Sequence, residues 1–290
     1  MNLPRRISIG TLALCLLLVS RSFGQNATRP STRPAAPDYN MGPADVAAVK
    51  LRGPNVPDTG FLRMHQKFLD RAKQGPIGIL FLGDSITQFW ARNSANQGIF
   101  DAHYAKYEPA NFGISGDRTQ HVLWRIDNGE LDNIHPKLVV LLIGTNNFKD
   151  SEEMIWRGDK KIIDEIHQKL PDAKLLIVGI FPRGHDPNDP DELLDSRYPD
   201  GPHVADGRAK LFAVNAQLAQ LDDGKNTRYI DVGPKFLDAN GVLQRDMMAD
   251  YLHPTAKGYE IWADAMQPLV DEMMQPWVAT QPDAATQPSN

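Results

Sequence analysis

The stretch Ile77-Gly78-Ile79-Leu80-Phe81-Leu82-Gly83-Asp84-Ser85 joins an apolar run to a glycine turn and a serine. A short run that is apolar on both faces is typical of a buried strand in a parallel sheet. Gly83 permits a sharp turn, because glycine has no Cβ to restrict the backbone. Ser85 then stands where a helix would begin. In parallel α/β folds the chemistry collects at the carboxyl ends of the strands, so the residues that follow such runs are the candidates for function.

The same arrangement recurs along the chain. Three further apolar runs lie at residues 137–143, 175–180 and 228–232. Between the runs, helical periodicity is found at residues 61–73, 119–128, 151–169, 205–221 and 255–274. Alternation of buried strands with helices predicts an α/β protein, a three-layer α/β/α sandwich around a parallel sheet.

Composition divides the 290-residue chain into four parts. Residues 1–24 are predicted to be a signal peptide, because Arg5 and Arg6 precede an apolar run that ends in small residues. A membrane anchor is the alternative, but the run is shorter than the roughly 20 residues of a spanning helix. Residues 25–45 are predicted to be a flexible linker, 46–277 a single domain and 278–290 a disordered tail. The protein is therefore expected to be secreted or periplasmic, with no stable membrane insertion after cleavage.

Cysteine, histidine and charge exclude several kinds of function. Cys15 is the only cysteine and lies in the predicted signal peptide, which argues against disulfides, a thiol nucleophile and a cysteine zinc site. The eight histidines are scattered without close ligand spacing, so no metal and no cofactor are predicted. Without the three arginines of the signal, the 31 basic residues become 28 against 36 acidic ones, a net charge of about −8. An acidic chain of this kind argues against nucleic acid as a partner.

Two motifs directly follow predicted strands, and a glycine-rich stretch lies between them in the sequence. Ser85 could act as a nucleophile near free helix N–H groups, or could simply cap the helix. Gly116, in the stretch Asn111-Phe112-Gly113-Ile114-Ser115-Gly116-Asp117, could donate its N–H to an oxyanion or belong to an ordinary glycine turn. Asn146 in Gly144-Thr145-Asn146-Asn147 could donate from its side chain or be a turn asparagine.

A fourth motif, Asp250-Tyr251-Leu252-His253, lies near the C-terminus. An aspartate three residues before a histidine can hold the imidazole in one tautomer, as in a catalytic triad. The plain alternative is a capping aspartate beside a surface histidine. Asp231, at the end of the last apolar run, is a rival partner for His253, whereas Asp84 is expected to shape the turn rather than to react.

The four motifs in this order resemble the SGNH (GDSL-type) hydrolase superfamily over about residues 76–270. The chain is most similar to the catalytic subunits of intracellular platelet-activating-factor acetylhydrolase. The stretches that carry this resemblance are residues 81–85, 111–117, 121–125, 128–131, 144–147 and 250–253. The resemblance implies a flavodoxin-like sheet, no metal, a triad of Ser85, His253 and Asp250, and an oxyanion hole formed by Ser85, Gly116 and Asn146. The subunits of that family pair as dimers, so the resemblance also raises the option of a homodimer.

Two features depart from that family. Ser115 stands where the family usually has glycine, and residues 186–207, rich in Asp and Pro, look inserted on the active-site side.

The expected activity is hydrolysis of short-chain, in particular acetyl, esters by a secreted serine esterase. O-acetyl groups on extracellular glycans are the favoured substrate, because the chain is predicted to be exported. Lipid esters, as for a lysophospholipase, are the alternative substrate. A binding module without activity and a nucleotide-binding flavodoxin-like protein are the alternative classes, but the triad is complete and a phosphate loop is missing.

Overall fold

The computed structural model describes residues 38–40 and 42–280. The predicted signal peptide, residues 25–37 of the predicted linker and residues 281–290 of the predicted tail lie outside this range.

The centre of the fold is a five-stranded parallel sheet. The strands are β1 (Ile79–Gly83), β2 (Pro109–Gly113), β3 (Leu138–Leu142), β4 (Lys174–Val178) and β5 (Thr227–Ile230). Their order in the sheet is β2-β1-β3-β4-β5, and all the pairs are parallel. This is a flavodoxin-like order, so the predicted fold class is confirmed. The apolar runs predicted four of the five strands; β2 was missed because its sequence Pro-Ala-Asn-Phe-Gly contains no continuous apolar run.

Seven α-helices pack around this sheet in the described residues. They are α1 (Thr59–Ala72), α2 (Ser85–Gln88), α3 (Ser94–Tyr104), α4 (Thr119–Asp127), α5 (Glu152–Lys169), α6 (Val204–Leu218) and α7 (Ala256–Thr280). Helix α2 begins at Ser85, where the sequence placed the start of a helix, whereas α3 was not predicted. The last helix continues through residues 278–280, which the sequence assigned to the tail.

Two apolar clusters separate the three layers. On one face of the sheet, Leu80 and Leu82 of β1 share a cluster with residues of α1, α4, α5 and α6. On the other face, Ile79 and Phe81 of the same strand pack with residues of α3 and α7. Successive strand residues point to opposite faces, so a strand buried on both faces must be apolar throughout. This is the physical reason why the continuous apolar runs predicted the strands.

An N-terminal segment precedes α1 and contacts the domain. Ala44 is buried, and its carbonyl accepts a hydrogen bond of 2.7 Å from Thr119 Oγ1. The Asn40 side chain exchanges two hydrogen bonds with the backbone of Leu51, at 2.7 and 3.0 Å. A two-stranded antiparallel ribbon, Leu51–Gly53 with Val56–Pro57, follows. Residues 38–45, which the sequence placed in the linker, thus lie against the domain where they are described.

The connections at the carboxyl end of the sheet bring the predicted motifs to one edge. Ser85 follows β1, Gly116 follows β2 and Asn146 follows β3. The order of the strands reverses between β1 and β3, and the connections diverge there to leave a crevice. None of the helices in the described residues is long and apolar enough to cross a membrane.

Candidate active site

Ser85 begins α2 directly after the turn at Gly83. A Cβ on Gly83 would lie 2.3 Å from the carbonyl oxygen of Leu142 and 2.3 Å from Thr87 Oγ1, so only glycine fits here. Asp84 caps the helix, and its Oδ1 accepts a 2.9 Å hydrogen bond from the N–H of Ile86. The turn therefore holds Ser85, which is 5% exposed, at the floor of the crevice.

The imidazole of His253 bridges the serine and an aspartate. Its Nε2 lies 2.9 Å from Ser85 Oγ, and its Nδ1 lies 2.7 Å from Asp250 Oδ2. The ring also packs on Phe89, with 4.8 Å between the ring centroids. This chain of contacts can accept the serine proton at Nε2 while Nδ1–H donates to the carboxylate.

A tight turn fixes Asp250 beside the histidine. Its Oδ1 accepts hydrogen bonds from the backbone N–H groups of Leu252, at 3.2 Å, and His253, at 2.8 Å. Burial acts to raise the pKa of Asp250, but the hydrogen bonds from the side chain and backbone of His253 outweigh it and hold that pKa well below its usual range. Asp231 instead accepts from the N–H of Gly233 at 2.9 Å, so the carboxylate that contacts His253 is Asp250.

Gly116 and Asn146 lie on neighbouring connections. Gly116 has a φ of 73°, which favours glycine. Asn146 Nδ2 donates to the carbonyl of Asp117 at 2.9 Å and makes a longer contact, 3.4 Å, with Asp84 Oδ2. The N–H groups of Ser85 and Gly116 donate to no acceptor in the described residues. These N–H groups are therefore available to a ligand oxygen, whereas the Asn146 amide would have to exchange its longer hydrogen bond to Asp84 for one to that oxygen.

Two buried carboxyl groups lie beneath this region. Asp84 and Asp117 are both 0% exposed. Burial raises the pKa of Asp84 to about 7, helped by the nearby charge of Asp117 and opposed by the hydrogen bond from Ile86. Burial raises the pKa of Asp117 to about 6, although the charges of Arg125 and Lys50 act to lower it. At neutral pH part of the Asp84 population is therefore uncharged, which reduces the negative charge next to Ser85.

The segment that looked inserted forms one wall of a cavity of about 520 Å³. The opposite wall is made by residues 250–253, which include the Asp250–His253 pair. Charged side chains contribute much of the lining. They are Arg183, Asp191, Glu192, Asp195, Arg197 and Asp250.

Buried Arg183 connects this wall of the cavity to the loop that follows β3. Its guanidinium donates to the carbonyl of Thr145 at 2.9 Å and to Asp195 at 2.9 Å. Asp195 also binds Arg197 through two side-chain hydrogen bonds, at 2.8 and 2.5 Å. Arg183 and Asp195 were missed as site residues by the sequence analysis. The position of Arg183 just after the third apolar run was the only available signal.

One group of possible metal ligands occurs in the described residues, namely His103, Glu260 and Asp264, whose ligand atoms lie within 4.8 Å of one another. His103 is on α3 and the two acids are on α7. None of the residues that surround Ser85 belongs to this group.

Comparison with known proteins defines the class. The model of the GDSL-like lipase/acylhydrolase family matches residues 81–261. The chain belongs to this family and is an ester-hydrolysing enzyme.

Individual relatives show which members of this family the chain resembles in sequence and in fold. The chain is 32% identical over 239 residues to platelet-activating factor acetylhydrolase IB subunit alpha2 of Rattus norvegicus, an alignment that covers 82% of this chain and 92% of the relative. It is 32% identical over 202 residues to subunit alpha1 of Homo sapiens, covering 70% of this chain and 79% of the relative. A solved structure of a GDSL-like lipase from Bacteroides thetaiotaomicron superposes with a TM-score of 0.56 at 19% identity, over 72% of this chain and 97% of that chain. The predicted family is thereby confirmed.

Proposed function

We propose that the protein is an exported serine esterase that hydrolyses short-chain, in particular acetyl, esters. In this proposal Ser85 is the nucleophile, His253 the general base and Asp250 the residue that orients the base. The observation that carries the proposal is the continuous path from Ser85 Oγ to His253 Nε2, 2.9 Å, and from His253 Nδ1 to Asp250 Oδ2, 2.7 Å.

The proposed reaction has two halves. His253 takes the proton of Ser85 as Oγ attacks the ester carbonyl, and the resulting oxyanion is bound by the N–H groups of Ser85 and Gly116 and by the Asn146 side chain. His253 then gives the proton to the departing alcohol, which leaves an acyl-enzyme. Water, deprotonated by the same histidine, releases the acid and restores Ser85.

The lining of the cavity beside His253 supports a polar alcohol as the leaving group of the ester. The general acid must stand next to the leaving oxygen, so the alcohol part of the ester would occupy the cavity beside His253. Six of the thirteen residues that line this cavity are charged, and such side chains can hydrogen-bond to a hydroxyl-rich group. We therefore propose an O-acetylated extracellular glycan as the substrate class. Export is part of this proposal and depends on the sequence of residues 1–24.

A lipid ester is the second candidate. It is favoured by the relatives named platelet-activating factor acetylhydrolase and by a second cavity, of about 480 Å³, whose lining includes Met64, Phe89 and Ala91. The large apolar side chains that are exposed in the described residues, Val46, Val56 and Phe212, do not line either cavity.

The nucleophile assignment is tested with Ser85→Ala. This variant should lose at least about a thousandfold in kcat on a chromogenic acetate ester, the scale of losing a triad member, while its thermal unfolding stays close to that of the wild type. Retained turnover would reject Ser85 as the nucleophile and, with it, the proposed triad.

The substrate class is tested separately on the wild-type protein. Acetate release from acetylated oligosaccharides is compared with hydrolysis of a short-chain phospholipid ester at matched concentrations. Faster release from the oligosaccharides is expected. Release from the lipid alone would leave the triad in place and replace the glycan by the lipid.

A further inference from the structure

Lys50 reaches the connection after β2 from the N-terminal segment. Its Nζ donates to the carbonyl of Ser115 and forms an ion pair of 3.2 Å with Asp117 Oδ1. The two acceptors belong to the residues on either side of Gly116. The lysine nitrogen would lie 3.1 Å from a Cβ placed on Gly116, and its side chain is only 13% exposed. Lys50 therefore packs directly against the glycine of the proposed oxyanion hole.

The same connection has two other anchors. The N–H and Oγ of Ser115 both donate to Gln88 Oε1, at 2.8 and 2.6 Å. The carboxylate of Asp117 pairs with Arg125 at 3.1 Å, and both of these side chains are 0% exposed. Lys50 is the anchor that holds Ser115 and Asp117 at once, because it is the one that bonds to both.

The connection also positions the third proposed oxyanion donor. Asn146 Nδ2 donates to the backbone carbonyl of Asp117 at 2.9 Å. A shift of the peptide at Asp117 would therefore move the Asn146 amide together with the N–H of Gly116. Two donors from two different connections thus depend on one short loop, which Lys50 holds together with Gln88 and Arg125.

We propose that Lys50 is a positioning residue for the oxyanion hole. This inference rests on the proposed esterase function. Lys50 holds the residues on both sides of Gly116 so that the glycine N–H and the Asn146 amide point at the developing oxyanion, and its ammonium adds positive charge close to that oxygen. Fixed donors and charges matter most in the transition state, so Lys50 acts on kcat rather than on the binding of the substrate.

The experiment compares Lys50→Met and Lys50→Arg in the full chain on a chromogenic acetate ester. Lys50→Met removes the charge at similar length and should lower kcat by about tenfold or more, with KM nearly unchanged. A loss of about tenfold is smaller than the roughly 10²- to 10³-fold loss for a direct oxyanion donor, because Lys50 acts through the donors it positions. Lys50→Arg keeps a cationic donor and should recover most of the loss. Lys160→Met is the matched control, because Lys160 forms an exposed i,i+4 pair with Asp164 on α5, and it should behave as the wild type.

A transition-state analogue separates positioning from a general effect on the fold. A trifluoromethyl ketone adds to the serine hydroxyl and places an oxyanion in the hole. Its Ki should rise in Lys50→Met by the same factor by which kcat/KM falls. A wild-type kcat in Lys50→Met, a change in KM alone, or an unchanged Ki beside a reduced kcat would each overturn the proposal.

A second variant keeps the test decisive where Lys50→Met fails to fold. Lys50→Cys can be alkylated with 2-bromoethylamine, which rebuilds an ammonium at nearly the length of lysine, and Cys15 is the only native cysteine. Turnover should return on aminoethylation but not after treatment with iodoacetamide, and wild-type protein treated in parallel controls for Cys15. No recovery would reject the proposal. Full activity in Ser85→Ala would instead reject Ser85 as the nucleophile of the proposed function, so the two failures are distinguishable.

Discussion

Replacing Asp250 by asparagine tests how the histidine is oriented. Asp250→Asn can keep Oδ1 as the acceptor of the Leu252 and His253 N–H groups, at 3.2 and 2.8 Å. It puts an NH2 group where Oδ2 now lies, 2.7 Å from His253 Nδ1. An amide donor facing Nδ1 favours the tautomer with its proton on Nε2. The nitrogen that faces Ser85 Oγ at 2.9 Å would then already carry a proton and could not accept another.

The size of the effect follows from the exposure of Asp250. In a fully buried triad the wrong tautomer costs about 10⁴ in kcat. The Asp250 side chain is 56% exposed, so water screens its charge and weakens its contribution to the imidazolium. We expect a loss of about 10² to 10³ in kcat, or about 3 to 4 kcal/mol in the barrier. Asp250→Ala removes the carboxylate without adding a donor and should lose less than Asp250→Asn.

The assay is kcat and KM on a chromogenic acetate ester between pH 6 and 9. The pKa of Asp250 lies well below its usual range, so the wild-type carboxylate stays ionised throughout. Thermal unfolding of each variant checks that the turn is kept. Asp246→Asn is the matched control, since Asp246 is an exposed aspartate near the same turn that pairs with Lys257 at 2.6 Å. A kcat for Asp250→Asn within threefold of the wild type would refute the reasoning, as would a larger loss in Asp231→Asn.

Two further predictions concern the side chains of Asn146 and Asp159. Asn146→Ala should lower kcat on the acetate ester by about 10² with little change in KM, because it removes one oxyanion donor; an unchanged kcat would exclude this role. Asp159 is 1% exposed, neither of its carboxylate oxygens has a hydrogen-bond partner in the described residues, and burial raises its pKa well above 3.8. The folded state therefore keeps a proton on Asp159 that the unfolded chain loses near pH 4. Because of this, the free energy of unfolding falls as pH rises above that value, by up to about 1.4 kcal/mol per pH unit for this group. Urea unfolding at pH 5 and pH 8 should show a smaller fall in Asp159→Asn than in the wild type, and an equal fall would contradict the assignment.

The local pattern of apolar residues was sufficient to predict four of the five strands of the sheet. Strands β1, β3, β4 and β5 lie within the predicted apolar runs or differ from them by one or two residues at the ends. Strands buried on both faces must be apolar at every position, so their signal is local. Strand β2 lies at the edge of the sheet, where Pro109 and Asn111 are only partly buried. Its pairing with β1 is a long-range interaction that its own sequence does not encode.

The sequence alone determined the identity and chain order of Ser85, Gly116, Asn146, Asp250 and His253, because each belongs to a short motif at a predictable place in an α/β fold. It left Asp231 and Asp250 as rival carboxylates, and only the folded chain decided that Asp250 lies against the imidazole. The contacts of Lys50, Arg183 and Asp195 likewise arise only in the tertiary structure. Each acts through contacts between segments distant in sequence, as in the 67-residue separation between Lys50 and Asp117. The spacing of residues along one segment cannot report such contacts, since they exist only once the segments pack together.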